Sequence, residues 1–80
     1  MFYVYALYSK DFDKIYIGFT SDLNARLNAH NHESNTGWTS KFKPWILFYN
    51  EEFMNKSDAM KREKQLKSSR GRVFIRSLLS

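Results

Sequence analysis

The sequence predicts a small α/β (α+β) domain in which a three-stranded antiparallel sheet is flanked by helices, in the order β-β-α-β-α-α. Three observations predict this class. Aromatic and β-branched runs mark strands, and capping-type polar residues precede amphipathic stretches. The length of 80 residues suits a single core, so one domain over residues 1–80 is expected.

Two aromatic and β-branched runs begin the chain and predict an antiparallel hairpin. They are FYVYALY at 2–8 and IYIGF at 15–19, joined by the polar segment SKDFDK. Both faces of the first run are apolar, so we expect it at the centre of the sheet, covered on both sides. Gly18 is expected to end the second strand, or to let a ligand or backbone approach closely. Asp11 and Asp13 are expected to be solvated turn residues.

A first helix of about ten residues is predicted after the polar trio at 20–22, whose side chains are N-cap formers. One face of this helix then carries Leu23, Arg26, Leu27 and His30. The stretch 31–43 is polar and without sustained period, which predicts a long surface loop, and long loops are often functional. The third strand is predicted in WILFYNEEF at 45–53, directly after a proline.

A second helix is predicted in SDAMKREKQLKSS, capped by Asn55 or Ser57. The serine pair at its end and Gly71 are expected to break it. A short terminal helix is then expected to include Val73 and the apolar residues that follow.

Composition excludes several classes of function. The chain has no cysteine, so disulfides, thiolate zinc sites, iron–sulfur clusters and cysteine nucleophiles are excluded. His30 and His32 diverge on a helix and make no zinc site, and neither a Gly-rich phosphate loop nor a Ser-His-Asp arrangement is found. The first residues lack a basic leader and no apolar run approaches the roughly 18 residues of a membrane span. We therefore expect a cytoplasmic protein outside the membrane.

Positive charge is concentrated in the last third of the chain. Residues 1–55 hold five Lys and Arg against six acids, whereas residues 56–80 hold eight against two. Such a surplus is typical of proteins that bind polyanions, because each neutralised phosphate releases counterions. A solvated helix face is the alternative interpretation.

Three ionisable residues occupy positions where packing favours apolar ones. His30 and Arg26 flank the inward face of the first helix, and Glu63 projects between Ala59 and Leu66 on the second. Each has a structural alternative: a hydrogen-bonded core histidine, an arginine that snorkels to solvent, or a Glu63–Arg26 ion pair. The strand tyrosines are likewise either core residues or part of a site. Together, these side chains favour a polar site beside the hairpin.

Four segments resemble the GIY-YIG nuclease family. They are Tyr3-Val4-Tyr5, Tyr16-Ile17-Gly18, SDLNARLNAHN and the helix SDAMKREKQLK. The chain is most similar to the short, stand-alone (UPF0213-like) branch, which is related to the nuclease portion of the DNA-repair subunit UvrC. The resemblance spans essentially the whole chain.

The resemblance implies endonuclease-type hydrolysis of phosphodiester bonds in DNA with one divalent cation, Mg²⁺ or Mn²⁺. It implies catalytic roles for Tyr5, Tyr16, Arg26 and His30, and metal binding by Glu63. These residue types suit the chemistry, since Arg can clamp phosphate oxygens and one carboxylate suffices for a hydrated Mg²⁺. Either tyrosine could relay the proton of the attacking water, provided that a neighbour lowers its pKa from about 10.

Two departures from the family pattern leave an alternative function open. Tyr3 stands where the first motif has glycine, and no asparagine follows Asn55, although many members place one near the end of the domain. A basic nucleic-acid-binding domain that retains the nuclease fold without catalysis is therefore the alternative. In either case the partner is DNA, and a protein partner is expected to supply specificity. Expected phosphate contacts are Lys41, Lys43, Lys61, Lys64, Lys67 and Arg70.

Overall fold

The computed structural model describes residues 1–32 and 37–79. Its strands are β1 (Phe2–Ser9), β2 (Lys14–Thr20) and β3 (Ile46–Phe53), and its α-helices are α1 (Leu23–Asn31), α2 (Lys56–Lys67) and α3 (Ser69–Ser77). A 3-10 helix, Trp38–Phe42, precedes β3. The predicted class and order, β-β-α-β-α-α, are confirmed. Among the described residues, no helix is long and apolar enough to cross a membrane.

The sheet has the order β2-β1-β3, and β1 pairs with both neighbours in antiparallel fashion. The prediction that the first strand is central is thus confirmed. Tyr5 lies opposite Gly18 on β2. β2 continues past this glycine to Thr20, so the expectation that Gly18 ends the strand is wrong.

The two faces of β1 pack into two separate cores. Val4 and Ala6 belong to a buried cluster with residues of α2 and α3. Tyr5 and Leu7 belong to the other, with Trp45 and the apolar side of α1. Since successive strand residues point to opposite faces, the sheet separates α1 and the 3-10 helix from α2 and α3.

Side-chain caps set the beginnings of the first two α-helices. Asp22 accepts a hydrogen bond from the Ala25 N–H at 3.1 Å and starts α1. Asn55, one of the two predicted caps, accepts from the Asp58 N–H at 3.0 Å and starts α2. Each bond satisfies an N–H that lacks a partner within its helix.

The junction of α2 and α3 differs from the prediction. Ser68 ends α2 and caps α3, where its hydroxyl accepts from the Gly71 N–H at 3.2 Å. The terminal helix therefore begins at Ser69, ahead of Val73, and Gly71 lies inside it. A Cβ on Gly71 would lie 2.2 Å from the backbone oxygen of Gln65. This glycine permits close packing of two helices, and the expectation that it breaks a helix is wrong.

The segment predicted as one long loop over 31–43 contains a short helix. The 3-10 helix occupies 38–42, and it is tied to the start of β3 by the Trp45 indole, which donates to the Thr39 carbonyl at 2.8 Å. The Asn31 side chain also exchanges two hydrogen bonds with the Trp45 backbone. The loop prediction is therefore wrong for this part, and residues 33–36 lie outside the described residues.

Asp13 does more than form the hairpin turn. Its φ of 52° is left-handed, a conformation that Asp tolerates better than most residues. Its carboxylate accepts hydrogen bonds from the Tyr8 hydroxyl and the Arg76 guanidinium, both at 2.9 Å. The residue is exposed as expected, yet it links the hairpin to α3.

Candidate active site

Tyr5 is at the centre of the candidate site. Its side chain is only 2% exposed, and it lies over Gly18 on the neighbouring strand. A Cβ at Gly18 would come within 2.7 Å of the Tyr5 hydroxyl and 3.0 Å of the Tyr16 ring. The glycine is therefore needed so that the Tyr5 ring and the Tyr16 ring can both lie over this point of β2.

Helix α1 brings Arg26 and His30 to the Tyr5 hydroxyl. The two residues lie one turn apart, so both face the sheet. His30 Nε2 lies 3.2 Å from the Tyr5 oxygen, and Arg26 Nε donates to the same oxygen over a longer 3.4 Å. Guanidinium, phenol and imidazole thus meet at one atom.

Thr39 extends this hydrogen-bonded chain, and the sequence analysis did not single it out. It is 6% exposed, and its hydroxyl lies 3.2 Å from His30 Nδ1. Arg26 can only donate a hydrogen bond to the Tyr5 oxygen, so the Tyr5 hydroxyl is left to donate to His30 Nε2. A neutral imidazole fits these hydrogen bonds when its Nε2 accepts from Tyr5 and its Nδ1–H donates to Thr39. The only sequence signal for Thr39 was that it lies in a predicted long loop, and this signal indicates a segment without identifying a residue.

Burial sets the protonation states of this cluster. Desolvation raises the pKa of Tyr5 to about 12, against the lowering effect of Arg26. Desolvation, followed by the charge of Arg26, lowers the pKa of His30. Both effects favour the uncharged side chain. At neutral pH the cluster therefore contains a neutral phenol, a neutral imidazole and one fixed positive charge.

Tyr16 joins the cluster from a more open position. Its ring centroid lies 4.7 Å from that of His30 and 6.2 Å from that of Tyr5. The hydrogen bond that Arg26 donates to Tyr5, and to a lesser extent the interaction with Tyr16, raises the pKa of Arg26. Tyr16 is half-buried and also lines a groove along the outer side of β2, so of the two tyrosines it is the one beside water.

Glu63 lies away from the Tyr5 hydroxyl. Its helix, α2, packs on the face of the sheet that carries Val4 and Ala6. The carboxylate, 18% exposed, lies 3.6 Å from Lys67 Nζ in a loose ion pair within α2. The considered Glu63–Arg26 ion pair is therefore wrong. The link to the site is indirect: Lys67 and Tyr16 line the same groove.

Among the side chains that the structure describes, the donor set suits a cation held through one carboxylate better than one enclosed by protein ligands. Within residues 1–32 and 37–79, no group of three or more His, Asp or Glu side chains could enclose a metal ion. Mg²⁺ is commonly held by one or two carboxylates, with water and substrate phosphate completing its coordination. Glu63 is the residue that would hold such an ion.

The predicted phosphate contacts are dispersed over the surface. Lys67 lines the groove, and the Lys43 ammonium donates to the His32 carbonyl at 2.9 Å. Exposed positions on the 3-10 helix, α2 and α3 hold Lys41, Lys61, Lys64 and Arg70. The groove contains three further cations, Lys14, Arg72 and Arg76, which the sequence analysis passed over because position along the chain does not indicate which basic residues border a cavity.

The candidate site therefore consists of a hairpin that carries two tyrosines and a helix that brings an arginine and a histidine to them. The chain matches the GIY-YIG catalytic domain over residues 1–74 and belongs to that family. The UPF0213 protein SH2523 of Staphylococcus haemolyticus is 38% identical over 66 residues, which span 82% of this chain and 79% of that protein. A UPF0213 protein of Staphylococcus aureus is 35% identical over 66 residues, which again span 82% of this chain and 79% of that protein.

A solved structure agrees with this assignment. The solution NMR structure of the UPF0213 protein BH0048 from Bacillus halodurans has a TM-score of 0.56 and 30% identity to this chain, covering 98% of it and 85% of BH0048. The predicted family is thus confirmed. Membership supports a nuclease-type function in general, in a family whose nucleases generally depend on divalent metal ions.

Proposed function

We propose that this protein is a metal-dependent endonuclease of the cytoplasm that hydrolyses phosphodiester bonds in DNA, with residues 1–80 as one catalytic domain. The observation that carries the proposal is the convergence of Arg26, His30 and the two tyrosines. Glu63 is proposed to hold Mg²⁺ or Mn²⁺. The ion would supply positive charge at the phosphoryl group.

The two tyrosines differ in the chemistry they can do. A buried phenol with a pKa of about 12 is a poor base at neutral pH, which favours Tyr5 as a positioning residue for His30 and Arg26. Tyr16 lies at the water-facing side of the cluster and contacts the neutral His30 ring. Tyr16 is therefore our proposed proton acceptor for the attacking water: its oxygen takes the proton of the water while its own hydroxyl proton passes to solvent in the groove.

Arg26 suits the stabilisation of negative charge on the phosphate. Its pKa is raised by the hydrogen bond to Tyr5, so it keeps its charge throughout the working range. The residue is exposed, which leaves guanidinium N–H groups available to phosphate oxygens while Nε is held by Tyr5. A guanidinium group held in this way needs little change of conformation when a substrate phosphate binds.

Nicking of supercoiled plasmid with Mg²⁺ or Mn²⁺ tests the proposal. We expect Arg26→Ala and Glu63→Gln each to lower the rate by about 10² to 10³, as is typical when a group that stabilises transition-state charge is removed. Glu52→Gln, an exposed carboxylate on β3, is the matched control. Nicking that survives both substitutions would exclude this site.

Tyr16→Phe is expected to reduce nicking more than Tyr5→Phe, because only the first removes the proposed proton acceptor. The measurement is the single-turnover rate of both variants with protein in excess. The reverse order would show that the buried tyrosine is the base.

A second candidate function is DNA binding without catalysis. It is favoured by the position of Glu63, paired with Lys67 on a helix across the sheet from Tyr5. This function predicts a salt-dependent gel shift with no cleavage under any divalent metal.

A further inference from the structure

A groove of about 510 Å³ runs along β2, one of the two edge strands of the sheet. Tyr16 lines one part of it, so the groove is continuous with the candidate site. Its remaining walls come from the hairpin turn, the 3-10 helix, the end of α2 and α3. An extended chain that follows β2 would contact all of these walls.

The charged lining of this groove is mainly positive. It contains four cations, Lys14, Lys67, Arg72 and Arg76, and one acid, Asp13. Asp13 is already paired with Arg76 at 2.9 Å, and the Arg72 Nε–H donates to the Lys67 carbonyl at 3.0 Å, which holds that guanidinium at the wall. Fixed cations along an open groove are the arrangement that follows a phosphate backbone.

Trp38 provides an aromatic surface in the same groove. Its side chain is 51% exposed although the ring is fixed by packing, with centroids 4.7 Å from Phe42 and 6.0 Å from Trp45. A rigid, half-exposed indole among cations offers a π-face to a base. Bases in a duplex stack on one another, so an aromatic side chain can stack only on a base that is unpaired or splayed out.

We propose that this groove binds an unpaired DNA strand, with one base stacked on Trp38 and the backbone held by Lys67, Arg72 and Arg76. The proposal rests on the proposed nuclease function and names its substrate class: DNA with a single-stranded or flapped segment. The strand would pass Tyr16, which lines both the groove and the catalytic cluster.

The test is binding of oligo(dT) of about 12 nucleotides, a length within the range of single-strand sites, in EDTA so that no cleavage occurs. The chain has two tryptophans, and Trp45 is 2% exposed, so quenching of wild-type tryptophan fluorescence on binding reports Trp38. Fluorescence anisotropy of a dye-labelled oligo(dT) measures the affinity of the wild type and of every variant. We expect Trp38→Ala to weaken oligo(dT) binding by about 5- to 150-fold, which corresponds to the usual 1–3 kcal/mol of one base–aromatic stack.

Matched measurements separate stacking from general effects. Trp38→Phe keeps a ring and should lose less affinity, and Phe74→Ala, an exposed aromatic of α3 outside the groove, should lose none. A duplex of equal length should bind Trp38→Ala and wild type within about twofold, since its bases leave the indole without a partner.

The outcomes distinguish this inference from the proposed function. Equal binding of oligo(dT) by wild type and Trp38→Ala, or an equal loss for duplex and single strand, would overturn the inference even if plasmid is nicked. Binding that depends on Trp38 but is never followed by cleavage would support the inference and contradict the nuclease. Displacement of oligo(dT) by an acidic peptide at equal concentration would show that the groove selects charge alone, and would also overturn it.

Discussion

Gly18 and Tyr5 lie opposite each other on neighbouring strands, and the Tyr5 ring occupies the space that a side chain at Gly18 would fill. A methyl group at Gly18 would meet the Tyr5 hydroxyl at 2.7 Å and its Cζ atom at 2.9 Å. Since the Tyr5 ring is fully packed, it has no free space to move into. Because glycine has no Cβ, Gly18 thus allows the Tyr5 hydroxyl to lie at this position.

We expect Gly18→Ala to lower the free energy of unfolding by about 1–3 kcal/mol, the usual cost of overpacking, and to reduce nicking by displacing Tyr5. Urea unfolding measures the first effect. In the Tyr5→Phe background the closest contact is gone, so Gly18→Ala should cost less there. Equal costs in both backgrounds would contradict this account.

The buried His30 makes stability depend on pH. Its folded pKa lies below the ordinary value of 6.5, so below pH 6.5 the unfolded chain binds the proton more readily. The stability is full above that pH and falls as the pH drops towards the folded pKa. We expect urea unfolding at pH 5.5 and 7.5 to differ more for wild type than for His30→Gln; an unchanged difference would show that His30 is not the cause.

Thr39 is expected to position His30 through its hydroxyl. Thr39→Val keeps the shape of the side chain but removes the partner of His30 Nδ1, whereas Thr39→Ser keeps that partner. We expect nicking to fall with valine and to be largely retained with serine, and the NMR titration of the His30 ring to shift only with valine. If serine is as damaging as valine, the methyl group matters and the hydroxyl does not.

At the scale of elements, the junction between α2 and α3 depends on Ser68. Its hydroxyl accepts from the Gly71 N–H and donates to the Gln65 carbonyl at 2.6 Å. The tight turn brings α3 against α2 and places Ile75, fully buried, in the core below β1. The same turn positions Arg72 and Arg76 along the groove.

We expect Ser68→Ala to lower the free energy of unfolding by about 1 kcal/mol, the usual cost of a lost N-cap. Ser69→Ala, one residue later and exposed, should change it by less than about 0.5 kcal/mol. Thermal or urea unfolding of both variants checks this. Equal effects would show that residual packing, and not the cap, stabilises the junction.

At the scale of the whole molecule, the positive charge of the last third is distributed between two kinds of surface. Lys61 and Lys64 lie on the outer side of α2, whereas Lys67, Arg72 and Arg76 border the groove beside the candidate site. All of these cations contribute to the long-range attraction of DNA, but only those that border the groove are placed to contact a phosphate of a strand bound there.

We expect Arg72→Ala to reduce the slope of log affinity against log salt by about 0.7 for single-stranded DNA, one phosphate contact. Lys61→Ala should weaken binding less and leave the slope nearly unchanged. Titrations at four or more salt concentrations, with EDTA present, measure both. A larger slope change for Lys61→Ala than for Arg72→Ala would show that the phosphates contact the outer side of α2 and not the groove.

The sequence by itself determined the central position of β1, the shared helix face of Arg26 and His30, and the short segments that hold the helix caps, 20–22 for α1 and Asn55 or Ser57 for α2. These features follow from hydrophobic period and local hydrogen bonding, which act within a few residues. Family membership was likewise recognisable from short motifs in order.

Only the tertiary structure decided which faces meet. It brought Thr39 to His30, placed Glu63 across the sheet with Lys67 as its partner, and made Gly71 a packing contact. It also joined the hairpin, the 3-10 helix and α3 around one groove. Spacing along the chain defines the face of its own element that a side chain occupies, whereas its neighbours depend on how elements pack across tens of residues.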